Sequence, residues 1–452
     1  MNITIEETIT AADQHRHISH QIEIPEGTTQ IRIDFVAGPE YSSGQEFRNS
    51  MSMSLFDRNG PRGIHYWITE GSLTLSAAYT TPGLNSGPIP AGTWTIFVHT
   101  YRIRPPDPVT YRFDVSLTSE TITDEPPMFA EKQKIQRGPG WYRGDLHAHT
   151  VHSDGSWDVP DLVAFARERG LDFVTLTDHN TISGLPHHDI LTDDTILTMG
   201  GFELTTYYGH ALALGKRHMF GWQLDTEDGV TMPQVAQSVL DGGGVFVIAH
   251  PMAPGDPVCS GCHWEYEDMR PGNARAVEIW NGWWGDYNEE GLQVYYSWLN
   301  AGHRLVATSG TDIHGPPPSA NGRHAGFNVV FSEELCEAAI LDAISKGHSY
   351  LSAGPELLFT AETVSGQSAM VGDAIRDSAM MLKAVWQDAS EGDMVRLIVD
   401  GEVREQISVG RSGEHTWSFA SGVLKWANVE LRDANSDMRA VTNPIFVGPN
   451  WE

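Results

Sequence analysis

Between Trp141 and Gly354 the chain alternates strand-like and helical runs, and the strand-like runs end repeatedly on histidines and carboxylates. The strand-like runs fall at 143–148, 172–177, 195–204, 244–249, 276–281, 304–309 and 326–331. Helical periodicity marks 158–170, 232–242, 289–301 and 333–347, the first with Pro near its start and Gly at its end. Such alternation builds βα units and a largely parallel sheet, because parallel neighbours need a crossover connection. About seven repeats predict an α/β fold, a distorted (β/α)7 barrel, as an incomplete relative of the eight-fold barrel.

Barrel enzymes assemble their sites at the C-terminal ends of the strands. The first run ends Asp145-Leu146-His147-Ala148-His149, and on an extended strand the i, i+2 pair His147 and His149 points to one face. HSDG then supplies Asp154, TDHN supplies Asp178 and His179, and GFELTT supplies Glu203, seven residues before His210. IAHP brings His250, and TSGTDIHG brings Asp312 and His314. Six imidazoles and three carboxylates exceed the needs of one ion and suit zinc, manganese or iron, with Glu203 the natural bridge between two ions. A single histidine is more often a surface or hydrogen-bonded residue than a ligand; the joint placement at strand ends carries the metal reading. His210, in YYGHALALG, also fits a simple strand histidine. Asp178 is read as orienting an imidazole or moving a proton beside a metal-bound water.

Lys and Arg number 29 against 59 Asp and Glu, a net charge of −30 that repels nucleic acid and anionic membrane surfaces. No run approaches the ~18–20 apolar residues that span a bilayer. The start, MNITIEETITAADQHRH, lacks a secretory pattern, so a cytoplasmic location is expected. The expected partner is a small-molecule substrate. Three cysteines argue against a disulfide framework. Cys259-Ser-Gly-Cys262-His263 fits a haem-attachment pattern, but covalent haem is attached outside the cytoplasm. The preferred account is a loop near the site mouth with adventitious thiols, whose replacement by Ser leaves metal content and activity nearly intact. A local disulfide or redox-sensitive pair is the alternative. Trp280, Trp283 and Trp284 are either packing or a substrate wall, with the wall favoured because strand-end loops line barrel sites, and Tyr207, Tyr208 and Arg323 are further candidate substrate contacts.

Residues 1–120 read as short alternating strands of a β-sandwich, 121–140 as a Pro/Gly-bounded linker, and 355–452 as a second β-sandwich with a hairpin turn at Asp400-Gly401. These flanks are read as bracing the barrel or mediating homo-oligomer assembly.

The motifs GDLHAHTVHSDG, LTDHN, FELTT, IAHP and SGTDIHG resemble, in order, those of the PHP (polymerase and histidinol phosphatase) superfamily over residues 141–354. The resemblance implies a distorted (β/α)7 barrel and hydrolysis at a two- or three-metal centre. It places one ion on His147, His149, Glu203 and Asp312. A second would share Glu203 with His210 and His250, and a third would lie among Asp154, His179 and His314. Asp154 stands where many relatives have histidine. GHSYLSAGPE and RAVTNPIFVGP resemble the CehA/McbA-type branch, which includes a carbaryl hydrolase. That branch implies a metal-activated water acting on aryl ester, carbamate or amide bonds, whereas the superfamily default is phosphoester hydrolysis. A non-catalytic metal-containing binding protein would require lost ligands.

Overall fold

The computed structural model describes residues 1–120, 129–224, 229–317 and 325–451. The first 118 residues form two four-stranded antiparallel sheets. One runs in the order Asn2–Ile9, Val109–Thr118, Gln30–Gly38, Glu70–Ser76, and the other His17–Ile24, Gly92–Arg102, Ser50–Asp57, Gly60–His65. Period-two patterning explains why they face each other: Ile31, Ile33 and Phe35 are buried while Arg32 and Asp34 point out, and the buried set meets Trp94, Ile96 and Val98 of the other sheet. Each such side chain contributes about 1.5–3 kcal/mol by leaving water.

Ten strands of the central region lie in two sheets. Leu197–Gly200, Phe173–Leu176, Gly140–Asp145, Phe327–Ser332 and Ser349–Ser352 adjoin in that order, and Glu203–Thr205, His210–Leu214, Val245–Ile248, Ala276–Asn281 and Val306–Gly310 form the second sheet. The helices are α1 (Val159–Glu168), α2 (Leu185–Asp189), α3 (Met232–Asp241), α4 (Asp286–Asn300) and α5 (Glu337–Lys346). The expected seven-fold β/α repeat is therefore not what these elements make. Among the described residues there are five α-helices for ten strands, and the pairing is mixed. The reason is connection length: only residues 206–209 separate Glu203–Thr205 from His210–Leu214, so the pair forms an antiparallel hairpin. The sheets meet at isolated bridges, Ala148 with Ile313 and His179 with Glu203, both beside expected ligands. Tyr142, Phe173 and Met199 from one sheet share a core with Leu212, Val247 and Ala276 from the other.

Helix boundaries follow local chemistry. Asp158 caps α1 in a capping box with Asp161, and Leu162, Val163 and Ala166 form its buried stripe. Gly347, at φ 77°, closes α5 in the left-handed conformation that glycine adopts without strain.

The sheet does not stop at residue 354. Ser349–Ser352 pairs with Met438–Thr442, and the sheet continues through Trp426–Arg432 and Met394–Val399 to Glu402–Ser408. A separate four-stranded sheet, Ser368–Met370, Glu356–Thr363, Met380–Gln387 and Gly413–Phe419, covers it. Residues 121–128 of the expected linker lie outside the described residues. The N-terminal sheets dock directly on the central region: Tyr207 Oη donates to the Arg16 carbonyl at 2.6 Å, and Thr181 Oγ1 donates to the Gly83 carbonyl at 2.8 Å. Among the described residues no helix is long and apolar enough to cross a membrane.

Candidate metal centre

The Gly140–Asp145 strand delivers Asp145 and then His147 and His149 into the gap between the sheets. There His147 accepts the Asp312 N–H at 2.8 Å and His149 N–H donates to the Ile313 carbonyl at 2.9 Å. These bonds tie the first motif to the last. Two of the expected ligands have left-handed backbones, His250 at φ 26° and Asp312 at φ 51°. A non-glycine residue holds such a conformation only where its surroundings enforce it, which is common at functional sites.

Glu203 is the hub. It is wholly buried, and its Oε2 lies 3.1 Å from His147 Nε2, 3.3 Å from His149 Nε2 and 2.9 Å from His179 Nδ1. Its Oε1 lies 3.0 Å from His210 Nδ1 and 3.2 Å from His250 Nε2. One carboxylate oxygen thus faces three imidazoles and the other faces two, the division a bridging carboxylate makes. Asp312 Oδ1 sits 3.3 Å and 3.0 Å from the Nε2 atoms of His147 and His149. Asp154 Oδ1 sits 3.5 Å from His179 Nε2 and 3.2 Å from His314 Nε2, and the His149 ring stacks on both His179 and His314. The structure brings all nine sequence-derived ligand candidates together.

These residues fit divalent cations. Both ring nitrogens of His149, Nε2 of His210, and one oxygen each of Asp154 and Asp312 are buried without a hydrogen-bond partner. His149 Nε2 and Asp312 Oδ1 are close yet lack hydrogen-bond geometry, as donor atoms do when aimed at a common ion.

The electrostatics of the metal-free cluster are those of interlocked opposite charges. Burial disfavours the His147 imidazolium, but Asp312, Glu278 and Glu203 outweigh it and hold its pKa well above the ordinary value. Burial likewise works against ionised Glu203, yet His179, His147 and His210 keep its carboxyl well below the usual range. Asp312 is held low in the same way, chiefly by His147. For His314, burial is overcome by Asp154 and Asp312 and the pKa rises to about 10. His210 is the exception: burial dominates and lowers it to about 4.

Glu278 escaped the sequence reading. It is buried on the Ala276–Asn281 strand, 3.1 Å from His147 Nδ1, and accepts the His250 N–H at 3.1 Å and Asn281 Nδ2 at 3.0 Å. Its signal was a carboxylate set between Val277 and Ile279 in an otherwise apolar run. Gly310 makes room for it, since a Cβ there would lie 2.2 Å from the His147 Cβ and 2.4 Å from Glu278 Oε1. Glu278 orients His147 and His250 and forms a further ligand group with them. Replacing it by Gln is expected to weaken metal binding roughly 10–100-fold, the usual cost of losing an orienting carboxylate. Competition titration against a chromophoric chelator measures this, and unchanged affinity would remove Glu278 from the centre.

Asp178 has different company. Its carboxylate accepts from Thr150 N–H at 2.7 Å, Thr150 Oγ1 at 2.8 Å and Ser153 Oγ at 2.7 Å, which shapes the turn carrying Asp154. The imidazole expected from the sequence is not among these partners. The aromatic wall also needs correction. Trp280 and Trp284 are buried in the core and packed edge-to-face, and Tyr207 is buried against His17. Trp280 lies under Gly326, where a Cβ would come within 2.4 Å of its indole, and Trp284 packs on Trp280. Trp283 is half-buried and Tyr208 exposed. Arg323 lies outside the described residues. The aromatic group that does approach the cluster comes from the N-terminal sheets: the Tyr66 ring lies 5.5 Å from the His179 ring and its hydroxyl accepts from Asn180 Nδ2 at 3.3 Å. No local sequence signal marked Tyr66, because its approach depends on how the N-terminal sheets dock.

A model of the PHP domain matches residues 145–341, a span that contains all nine candidate ligands and Glu278. An uncharacterized protein of Methanocaldococcus jannaschii is 22% identical over 162 residues, covering 33% of this chain and 85% of that protein. A crystal structure from Bacteroides vulgatus, described as a two-domain protein containing a predicted PHP-like metal-dependent phosphoesterase, superposes with a TM-score of 0.40 at 17% identity, covering 71% of this chain and 99% of that one. An amidohydrolase structure from Chromobacterium violaceum gives a TM-score of 0.29 at 17% identity, covering 38% and 88%.

Proposed function

We propose that the chain is a metal-dependent hydrolase that cleaves aryl ester, carbamate or amide bonds at the centre built around Glu203. The observation that carries the hydrolase reading is one buried carboxylate shared by five imidazoles, with Asp312 and Asp154 closing the flanking ligand groups. Divalent cations held there would supply a water of lowered pKa and polarise the substrate oxygen. The rest is the work of the chain. His147, His149 and Asp312 hold one side of the centre, and His210 and His250 hold the other. Glu278 fixes the orientation of His147. Substrate enters past His314 and Asp312, the most exposed members, with side chains 37% and 23% accessible. The half-buried Trp67, edge-to-face with the buried Tyr66, offers an apolar surface to an aryl group.

Two observations bear on substrate class. Among the described residues, the ion pairs of Glu203, Glu278, Asp312 and Asp154 are all with histidines and none is with Lys or Arg. With no Lys or Arg engaged at these carboxylates, a neutral carbonyl substrate is served without the charged clamp that a phosphoester site usually adds. The second reading, a phosphoesterase, is favoured by the Asp154–His179–His314 group. Two divalent ions against these four carboxylates leave the centre near neutral (4 − 4 = 0), whereas a third raises it to +2 (6 − 4) and suits a phosphate. A panel of aryl acetates, aryl carbamates and p-nitrophenyl phosphates, assayed on protein of measured metal content, tests the choice. Faster turnover of the carbonyl substrates is expected. A hundredfold preference for phosphates, about 2.7 kcal/mol of transition-state stabilisation, would make this a phosphoesterase.

A further inference from the structure

The ligand groups described so far leave one sulfur unused. Cys262 Sγ lies within 4.8 Å of ligand nitrogens of both His210 and His250. The placement is built into the fold. Gly261, at φ 81°, lies so close to the Thr206 carbonyl that a Cβ would be 2.0 Å from its oxygen, which pins the loop against the hairpin that carries His210. From the other side, the Cys262 carbonyl lies 3.2 Å from His250 Nδ1, and Trp264 N–H donates to the Pro251 carbonyl at 3.0 Å. His210 is buried and spends Nδ1 on Glu203, while its Nε2 has no hydrogen-bond partner. Cys262 is joined to Cys259 by a disulfide, with Cα atoms 5.5 Å apart.

We propose that reduced Cys262 joins His210 and His250 as a ligand of one ion, and that disulfide formation with Cys259 withdraws it. Two imidazoles and one thiolate make a nitrogen–sulfur donor set of the kind zinc takes, with a fourth position open to water. A coordinating thiol gives up its proton to solvent. In the disulfide the Cys262 sulfur carries no charge and is a poor donor. The switch balances as thiol–disulfide exchange with a small-molecule disulfide. One cysteine thiolate attacks it and releases one small thiol, then the second cysteine displaces the other, leaving the Cys259–Cys262 bond and two small thiols. The expectation that serine replacement leaves the metal untouched is thereby reversed for Cys262 and kept for Cys259.

The inference rests on the metal-centre reading, and its test reads coordination rather than turnover. The full chain is reduced with a phosphine, which is then removed, and loaded with Co²⁺ whose uptake is measured by elemental analysis. A thiolate-to-cobalt charge-transfer absorption in the near ultraviolet is expected in reduced wild type and in Cys259→Ser, and its absence in Cys262→Ser. Treating wild type with a small disulfide should remove the band and weaken Co²⁺ binding roughly tenfold or more, since loss of a direct ligand costs no less than loss of an outer partner. Bound cobalt without the band in reduced wild type, or a band that survives in Cys262→Ser, overturns the inference and leaves the metal centre standing. Failure of every form to bind cobalt overturns both.

Discussion

Glu203→Gln is expected to abolish turnover, by roughly a thousandfold or more, and to cost the protein most of its bound metal. The substitution keeps volume and shape and removes only the charge and half the donor capacity. Each oxygen of Glu203 serves a different set of imidazoles, and no one neighbour reaches them all: Asp312 faces His147 and His149, Asp154 faces His179 and His314, and Glu278 stands with His147 and His250. The fold should survive, because the raised pKa of His179 and of His250 depends on Glu203 and both rings can become neutral when it goes. Metal equivalents per chain, kcat, and a circular dichroism melt should be measured on the same preparation. A variant that keeps its kcat would remove Glu203 from the centre, and one that fails to fold would show that the carboxylate is structural first.

The ligand set was legible because each motif combines a chemically unusual residue with a structural position. His147 and His149 sit two apart at a strand end, and so their rings share a face whatever the rest of the chain does. What the sequence could not convey were properties of the assembled fold. The repeat count predicted a barrel, but the short link between Thr205 and His210 forces a hairpin, and a local pattern that reads as parallel becomes mixed. The C-terminal strands read as a separate unit, while the register of Ser349–Ser352 on Met438–Thr442 carries one sheet from the metal centre into them. Trp280 and Trp284 looked available for a substrate wall because strand-end residues usually are. Trp280 is covered by Gly326, more than 40 residues away along the chain, and Trp284 packs on Trp280. Tyr66 is likewise defined by what packs on it, whereas Glu278 does leave a local mark, a carboxylate in an apolar strand.

Removing the metal should destabilise the chain, and the size of the effect should grow with pH. In the metal-free centre the histidines with raised pKa, His147, His179, His250 and His314, contribute stability that is full below the ordinary value of 6.5. It is lost as pH rises through their folded values, about 10 for His314. The lowered carboxyls of Glu203, Asp312 and Asp154 contribute stability that is present above their ordinary values and is lost only as pH falls through their lower folded ones, so they do not change in that window. The metal-free cluster therefore weakens as pH climbs above 6.5. Metal binding does the opposite, because a ligand imidazole must be neutral and protonated histidines compete with the ion. Other histidines cannot mimic this. His188, lowered to about 3 by burial, and His17, lowered to about 4, contribute stability lost as pH falls, but equally with and without metal, so they cancel in the difference. The shift in melting temperature between chelated and zinc-loaded protein should thus increase from pH 6 to pH 8. At a thousandfold excess of free metal over Kd it corresponds to about 4 kcal/mol for each independent site. A shift that shrinks over that range would mean that the carboxylate–imidazole network, and not a bound cation, is the functional state of this cluster.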